Sequence, residues 1–201
     1  MASVITADIV NSTALTGSRE GELRHKIGDI LKETLFEFYR GNSFQAYFPD
    51  RSGEVLKILF RLRTAARSLG EEFDIRAGIG IGMISGPFQS IREAGGEVFT
   101  HSGRAFDRLH KQRLGIVSPR EYANLALAIL CHFADHLFST MTAKQAQVIQ
   151  ELLEGKTQVA AARILKKSQS TINKHALAGG WGELERLTTE YGQLLKQFDL
   201  R

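Results

Sequence analysis

The chain has 201 residues, 43% hydrophobic and 24% charged, with a formal net charge of +4 and three prolines, a soluble globular composition with room for one sizeable core and a small second module. Its single cysteine, Cys131, excludes an intrachain disulfide and fits a reducing compartment, and no apolar run approaches the roughly 18 residues of a membrane span. The N-terminus lacks a basic region and meets Asp8 too early for a signal peptide, so a cytoplasmic protein with no membrane contact is expected.

Val4 to Val10 is short, β-branched and apolar, and reads as a buried strand that delivers Asp8 to a polar turn at Asn11-Ser12-Thr13. From Arg19 to Lys32, Leu23, Ile27, Ile30 and Leu31 recur at helical spacing. Leu35, Glu37 and Tyr39 then alternate with Phe36, Phe38 and Arg40, and after Gly41-Asn42 the alternation resumes at Phe44, Ala46 and Phe48, the pattern of a β-hairpin in mid-sheet. Glu54 to Leu69 is a second helix, with Val55, Ile58, Leu59, Leu62 and Ala66 expected inward and Lys57, Arg61, Arg63 and Arg67 outward. In Phe73 to Ile84 isoleucines alternate with Gly78, Gly80 and Gly82, so one face of that strand has no side chains and admits a helix or a ligand. This is not a dinucleotide fingerprint, because the G-x-G-x-x-G spacing is missing.

A glycine-rich loop, a short run Glu97 to Thr100, and a helical stretch from Gly103 to Lys111 follow, and Leu114 to Val117 is suited to close the sheet. Pro119 to Phe138 is a long apolar helix whose Leu125, Ile129, Phe133 and Leu137 form an i, i+4 stripe, expected in the core or a subunit contact. From Thr142 the chain reads as four consecutive helices with tight breaks: Thr142 to Leu153, Gln158 to Leu165, Gln169 to Leu177 and Trp181 to Phe198. The expected domains are therefore residues 1–138 and 139–201. Trp181, at the start of the last helix, is expected to anchor the preceding helix against Leu184 and Leu187. His132 and His136 are one turn apart, but without a Glu in the H-E-x-x-H position they are expected to be structural.

Four motifs carry a family resemblance: Ala7-Asp8-Ile9-Val10-Asn11-Ser12-Thr13, Gly41-Asn42-Ser43-Phe44-Gln45, Ile75 to Gly82, and Gly103-Arg104-Ala105-Phe106. In this order they resemble the class III nucleotidyl cyclase fold over residues 4–117, and most of all the SatD family of bacterial proteins. The resemblance implies an α+β, ferredoxin-like sheet with helices on one face, followed by an all-α domain. It also implies a nucleotide with Mg²⁺ near Asp8, Asn11, Ser12, Gly41, Asn42, Ser43, Thr100 and Lys111, with Asp8 as the metal ligand. In active cyclases two aspartates hold two divalent cations, since hard cations want anionic oxygen ligands. Here Asp8 matches the first and Asn42, a neutral amide, stands at the second. By the same alignment the transition-state Asn and Arg become Asp107 and Lys111, and the adenine-selecting lysine becomes Phe38, so ordinary cyclase activity and a catalytic residue set are not expected. The alternative is a metal-dependent nucleotide-processing enzyme that uses Asp8 with Glu37 or Asp107.

The C-terminal third carries the excess charge, with six Lys/Arg against two acids between Thr140 and Gly180. Within it, Gln158 to Lys174 resembles a helix-turn-helix, with Ala162 at the helix crossing and Ile172 as the apolar anchor. Ser168 is expected to cap the second helix, leaving Gln169, Ser170, Thr171, Asn173, Lys174 and His175 for base edges and phosphates, with Lys166 and Lys167 on phosphates. Lys166 stands where such turns usually place glycine, which demands an unfavourable backbone angle or a different turn. The expectation is a DNA-binding transcription regulator that reads double-stranded DNA as a homodimer, its cyclase-like domain serving to dimerise or to sense a nucleotide. Cyclase-like domains generally pair through their active-site faces. A protein-contact role for the helical module is the remaining alternative.

Overall fold

The computed structural model describes residues 1–15, 17–39 and 41–200; Arg40, assigned above to the hairpin, lies outside them. Strands β1 (Ala2–Val10), β2 (Leu35–Tyr39), β3 (Ser43–Phe48), β4 (Asp74–Gly82) and β5 (Leu114–Val117) form one sheet in the order β2-β3-β1-β4-β5. β1 lies at its centre, antiparallel to β3 and β4, and β5 adds to β4 in parallel. The expected hairpin forms β2 and β3 in register Phe38 to Phe44, and Gly41 takes the positive φ of 75° that the turn requires. The hairpin lies at the sheet's edge and not in its middle, because β1 pairs with β3 and β4 and leaves β2 without a second neighbour.

Helices α1 (Ser18–Leu31) and α2 (Val55–Arg67) cover one face of the sheet, where Ile5, Ala7, Ile9, Ile75, Ile79 and Ile81 meet Leu23, Ile27, Leu59 and Leu62 in the main core. The expectation of helices on one face is corrected by α3 (Glu97–Asp107), which packs on the other face against β1 and β4. The glycine alternation is the physical reason. A Cβ on Gly78 would overlap the backbone nitrogen of Phe106, and one on Gly80 the carbonyl oxygen of Val98, so the bare face of β4 is occupied by a helix backbone. The run Glu97 to Thr100, set apart in the sequence, is the first turn of this same helix.

A second correction concerns α2. Arg63 and Arg67, expected outward with Lys57 and Arg61, are 1% and 8% exposed. Arg63 donates from Nε and Nη2 to the two carboxylate oxygens of Asp74 at 2.9 and 2.8 Å, and from Nη1 to Asp135 at 2.6 Å. Burial opposes its charge, but the two carboxylates outweigh burial and hold the guanidinium above its ordinary pKa. Arg67 has weaker compensation, so burial and the neighbouring Arg63 push it down despite Asp74.

The rest of the chain is helical: α4 (Glu121–Thr140), α5 (Ala143–Leu153), α6 (Gln158–Ile164), α7 (Gln169–Ala178) and α8 (Trp181–Gln197). α5 starts on a capping box in which Thr142 and Gln145 satisfy each other's backbone N–H groups. A mixed α/β domain is thus followed by an all-helical region, but packing does not stop at residue 138. Ile149 and Leu153 of α5 and Leu184, Tyr191 and Leu195 of α8 belong to the same apolar core as Ile5 and Leu59. Among the described residues no helix is long and apolar enough to cross a membrane.

Candidate functional site

Two groups of residues can be followed from the sequence into the structure. The first gathers at the C-terminal end of β1. Asp8 stands opposite Ser43 of β3 and Arg76 of β4, and its carboxylate is held by Arg76 through contacts of 2.6 and 3.2 Å. Arg76 also lies over the Phe106 ring, 4.7 Å from its centroid, which fixes the guanidinium above the end of α3. Asn42 uses its side-chain amide to donate to the carbonyl of Ile9 at 3.3 Å, while its own backbone carbonyl accepts from the Ile9 N–H. Asn11 takes a left-handed conformation, φ 55°, and donates to the Glu72 carbonyl at 2.7 Å. Arg24 of α1 donates to the Gly41 carbonyl and sits over Phe38. Asp8, Asn11, Asn42 and Ser43 do converge, as parts of a hydrogen-bonded strand end.

Thr100 and Lys111 do not join them. Thr100 is exposed on α3 near the Gly80 level of the sheet, four residues along β4 from Arg76, or about 13 Å at the usual strand rise. Lys111 lines a cleft of about 870 Å³ with Arg63, Asp74, His132 and Asp135, which reaches the strand end only at Val10 and Glu72.

The donor set at β1 does not fit the two divalent cations that the cyclase resemblance implies. Such a site needs two available carboxylates. Asp8 is neutralised by Arg76, and Asn42 turns amide hydrogens toward a backbone carbonyl. Glu37, one of the two substitutes considered, pairs with Arg92 at 3.1 Å. Among the described residues no group of three or more His, Cys, Asp or Glu side chains is arranged to hold a metal ion. Arg76 was not visible as a partner of Asp8 in the sequence, where 68 residues separate them; only the β1/β4 register brings them together.

The second group lies on α6 and α7. Thr157 and Ser168 cap these helices, each accepting from the backbone N–H three residues on at 3.2 Å. The connection between them passes through Lys166 at φ 52°, which takes the unfavourable left-handed angle instead of a different turn. Ala161, Ala162, Ile172 and Ala176 are buried against Val148 and Leu152 of α5. That packing leaves Lys166, Lys167, Ser168, Gln169, Ser170, Asn173 and Lys174 exposed, with Thr171 and His175 half-buried. Ser168 is further engaged with the hydroxyls of Ser170 and Thr171 at 2.9 and 2.8 Å, so its own hydroxyl serves the cap.

The charges here differ in their engagement. Lys156 bonds to Glu151 and Glu154 at 2.5 and 2.8 Å, and these hydrogen bonds raise its pKa above the ordinary lysine value. Both acids of the basic window are thereby engaged by Lys156, and Glu154 also lies 4.0 Å from Arg61. Arg163, Lys166, Lys167 and Lys174 are exposed and form no side-chain ion pair among the described residues. Arg163, counted in the basic window but not singled out, belongs with this group. Comparison with protein-family models finds no match, and no curated protein is significantly similar to the chain.

Proposed function

We propose that the chain is a DNA-binding transcription regulator in which α6 and α7 act as a helix-turn-helix and the mixed α/β domain is a cyclase-like body without cyclase chemistry. The observation that carries this reading is the unpaired basic edge of α6 and α7 around a buried Ile172. Unpaired cations on one surface release counterions when they meet phosphates, and that release drives duplex binding. Lys166, Lys167 and Lys174 take phosphates, with Arg163 beside them. Gln169 and Asn173, one turn apart on the exposed side of α7, are placed to read base edges, where amides pair bidentately with adenine.

The runner-up, a nucleotide-processing enzyme built on Asp8, has no observation in its favour: its carboxylate is engaged by Arg76 and its neighbour Asn42 offers no charge. The test is fluorescence anisotropy on mixed-sequence duplex DNA across a salt series. Binding that weakens steeply with salt, and less steeply in Lys167→Ala and Lys174→Ala, supports the reading. No duplex binding at roughly 50 mM salt, where phosphate contacts are strongest, removes it.

A further inference from the structure

Of the i, i+4 stripe of α4, Leu137 packs against the core but the other three residues do not. Leu125, Ile129 and Phe133 are 71%, 65% and 44% exposed, and Tyr122 on the same side is 65% exposed. The opposite side of the helix, through Leu127, Cys131, Ala134 and Phe138, fills the core, so α4 is apolar on both sides and only one is covered. At about 200 Å² per large side chain, the four exposed residues present roughly 500 Å² of contiguous apolar surface.

We propose that this face of α4 is where two copies of the chain pair. A stable interface buries about 800 Å² per partner, and in homodimers about 65% of that is apolar, an apolar share close to what these four side chains supply. The shape also suits an identical partner. Beside the ridge of Leu125, Ile129 and Phe133 runs a groove of about 390 Å³ between α4 and α8, floored by Ala126, Leu130, Leu187 and Leu194. A ridge and an apolar groove on one face are what an isologous contact requires, because each copy offers the knob and the hole that the other lacks. The far wall of the groove carries Glu183, Arg186 and Glu190, with Arg186 already paired to Glu190 at 2.7 Å, so the apolar ridge and groove, not charge, carry the match to an identical copy. The proposal stands without the DNA reading. Where that reading also holds, pairing supplies the second recognition helix, and it does so through α4 instead of the sheet end that bears Asp8.

The test is the mass of the full chain in solution by light scattering, measured without DNA. The expected result is twice the chain's 22.3 kDa, with Leu125→Glu/Ile129→Glu reverting to a single-chain mass and raising the dimer dissociation constant about a hundredfold or more. Phe133→Lys provides the same readout if the double variant does not fold by circular dichroism. Ile129→Cys locates the contact: Cys131 is buried, so the introduced thiol is the accessible one, and a short bis-maleimide is expected to link two chains through it. A wild-type mass of one chain overturns the proposal, as does a dimer that survives these substitutions or fails to crosslink. A single-chain mass with co-sedimentation on phosphatidylcholine vesicles would assign the face to lipid and equally overturn it. DNA anisotropy on the same variants keeps the two proposals separable.

Discussion

The chain holds two concentrations of basic side chains that the structure treats in opposite ways. Around the sheet, Arg63, Arg67 and Arg76 are turned inward onto Asp74, Asp135 and Asp8. On α6 and α7, Arg163, Lys166, Lys167 and Lys174 remain exposed, and Glu151 and Glu154, the two acids of that stretch of sequence, bond to Lys156. A count of basic residues alone makes these regions look alike. Pairing distinguishes them: engaged arginines hold the fold, and unengaged ones are available to a partner.

The largest expected effect breaks the first region. Arg63→Ala leaves Asp74 and Asp135 without their shared cation, and should cost about 3–5 kcal/mol in urea unfolding. Next is Gly80→Ala, which forces α3 off β4 and should cost roughly 1–3 kcal/mol by the same assay, without changing duplex affinity per folded molecule. The second region should respond in the reverse manner. Lys167→Ala and Lys174→Ala should leave unfolding unchanged within about 0.5 kcal/mol while each lowers the salt slope of DNA binding by about 1. Lys166→Gly sharpens the contrast, because relief of a left-handed backbone should stabilise the chain by about 1 kcal/mol although a phosphate contact is lost. Within the first region the smallest effect belongs to Asp8→Asn, which loosens a partly exposed ion pair and should cost under about 1 kcal/mol. A larger loss of stability there would place Asp8 with Arg63 as a keystone of the fold.

Local patterns in the sequence were sufficient for the elements. Alternation marked the β2–β3 hairpin around Gly41-Asn42, and the caps Thr142 and Ser168 marked helix starts that the structure places one residue later. The misplacements share one cause. Arg63 and Arg67 sat at positions that read as a solvent-facing side of α2, because an arginine's burial depends on carboxylates 11 and 72 residues away rather than on its neighbours. The stripe on α4 showed the converse, since periodicity reveals that residues share a side but not whether anything covers it. The candidate residues of α6 and α7 were legible as one local unit, and the gathering of Asp8 with Asn42 and Ser43 was legible too, but the engagement of Asp8 by Arg76 was not, because it is set across strands.

What the sequence determined by itself is the succession of strands and helices, the glycine face that only a backbone can approach, and the basic turn between two capped helices. These follow from spacing, capping and backbone preference, all of which act within a few residues. What only the tertiary structure decided is which charges are paired, which apolar side is left open, and that the last helices complete the core begun by β1. Those outcomes depend on groups far apart in the chain meeting in a low-dielectric interior, where a missing partner costs far more than it does in water.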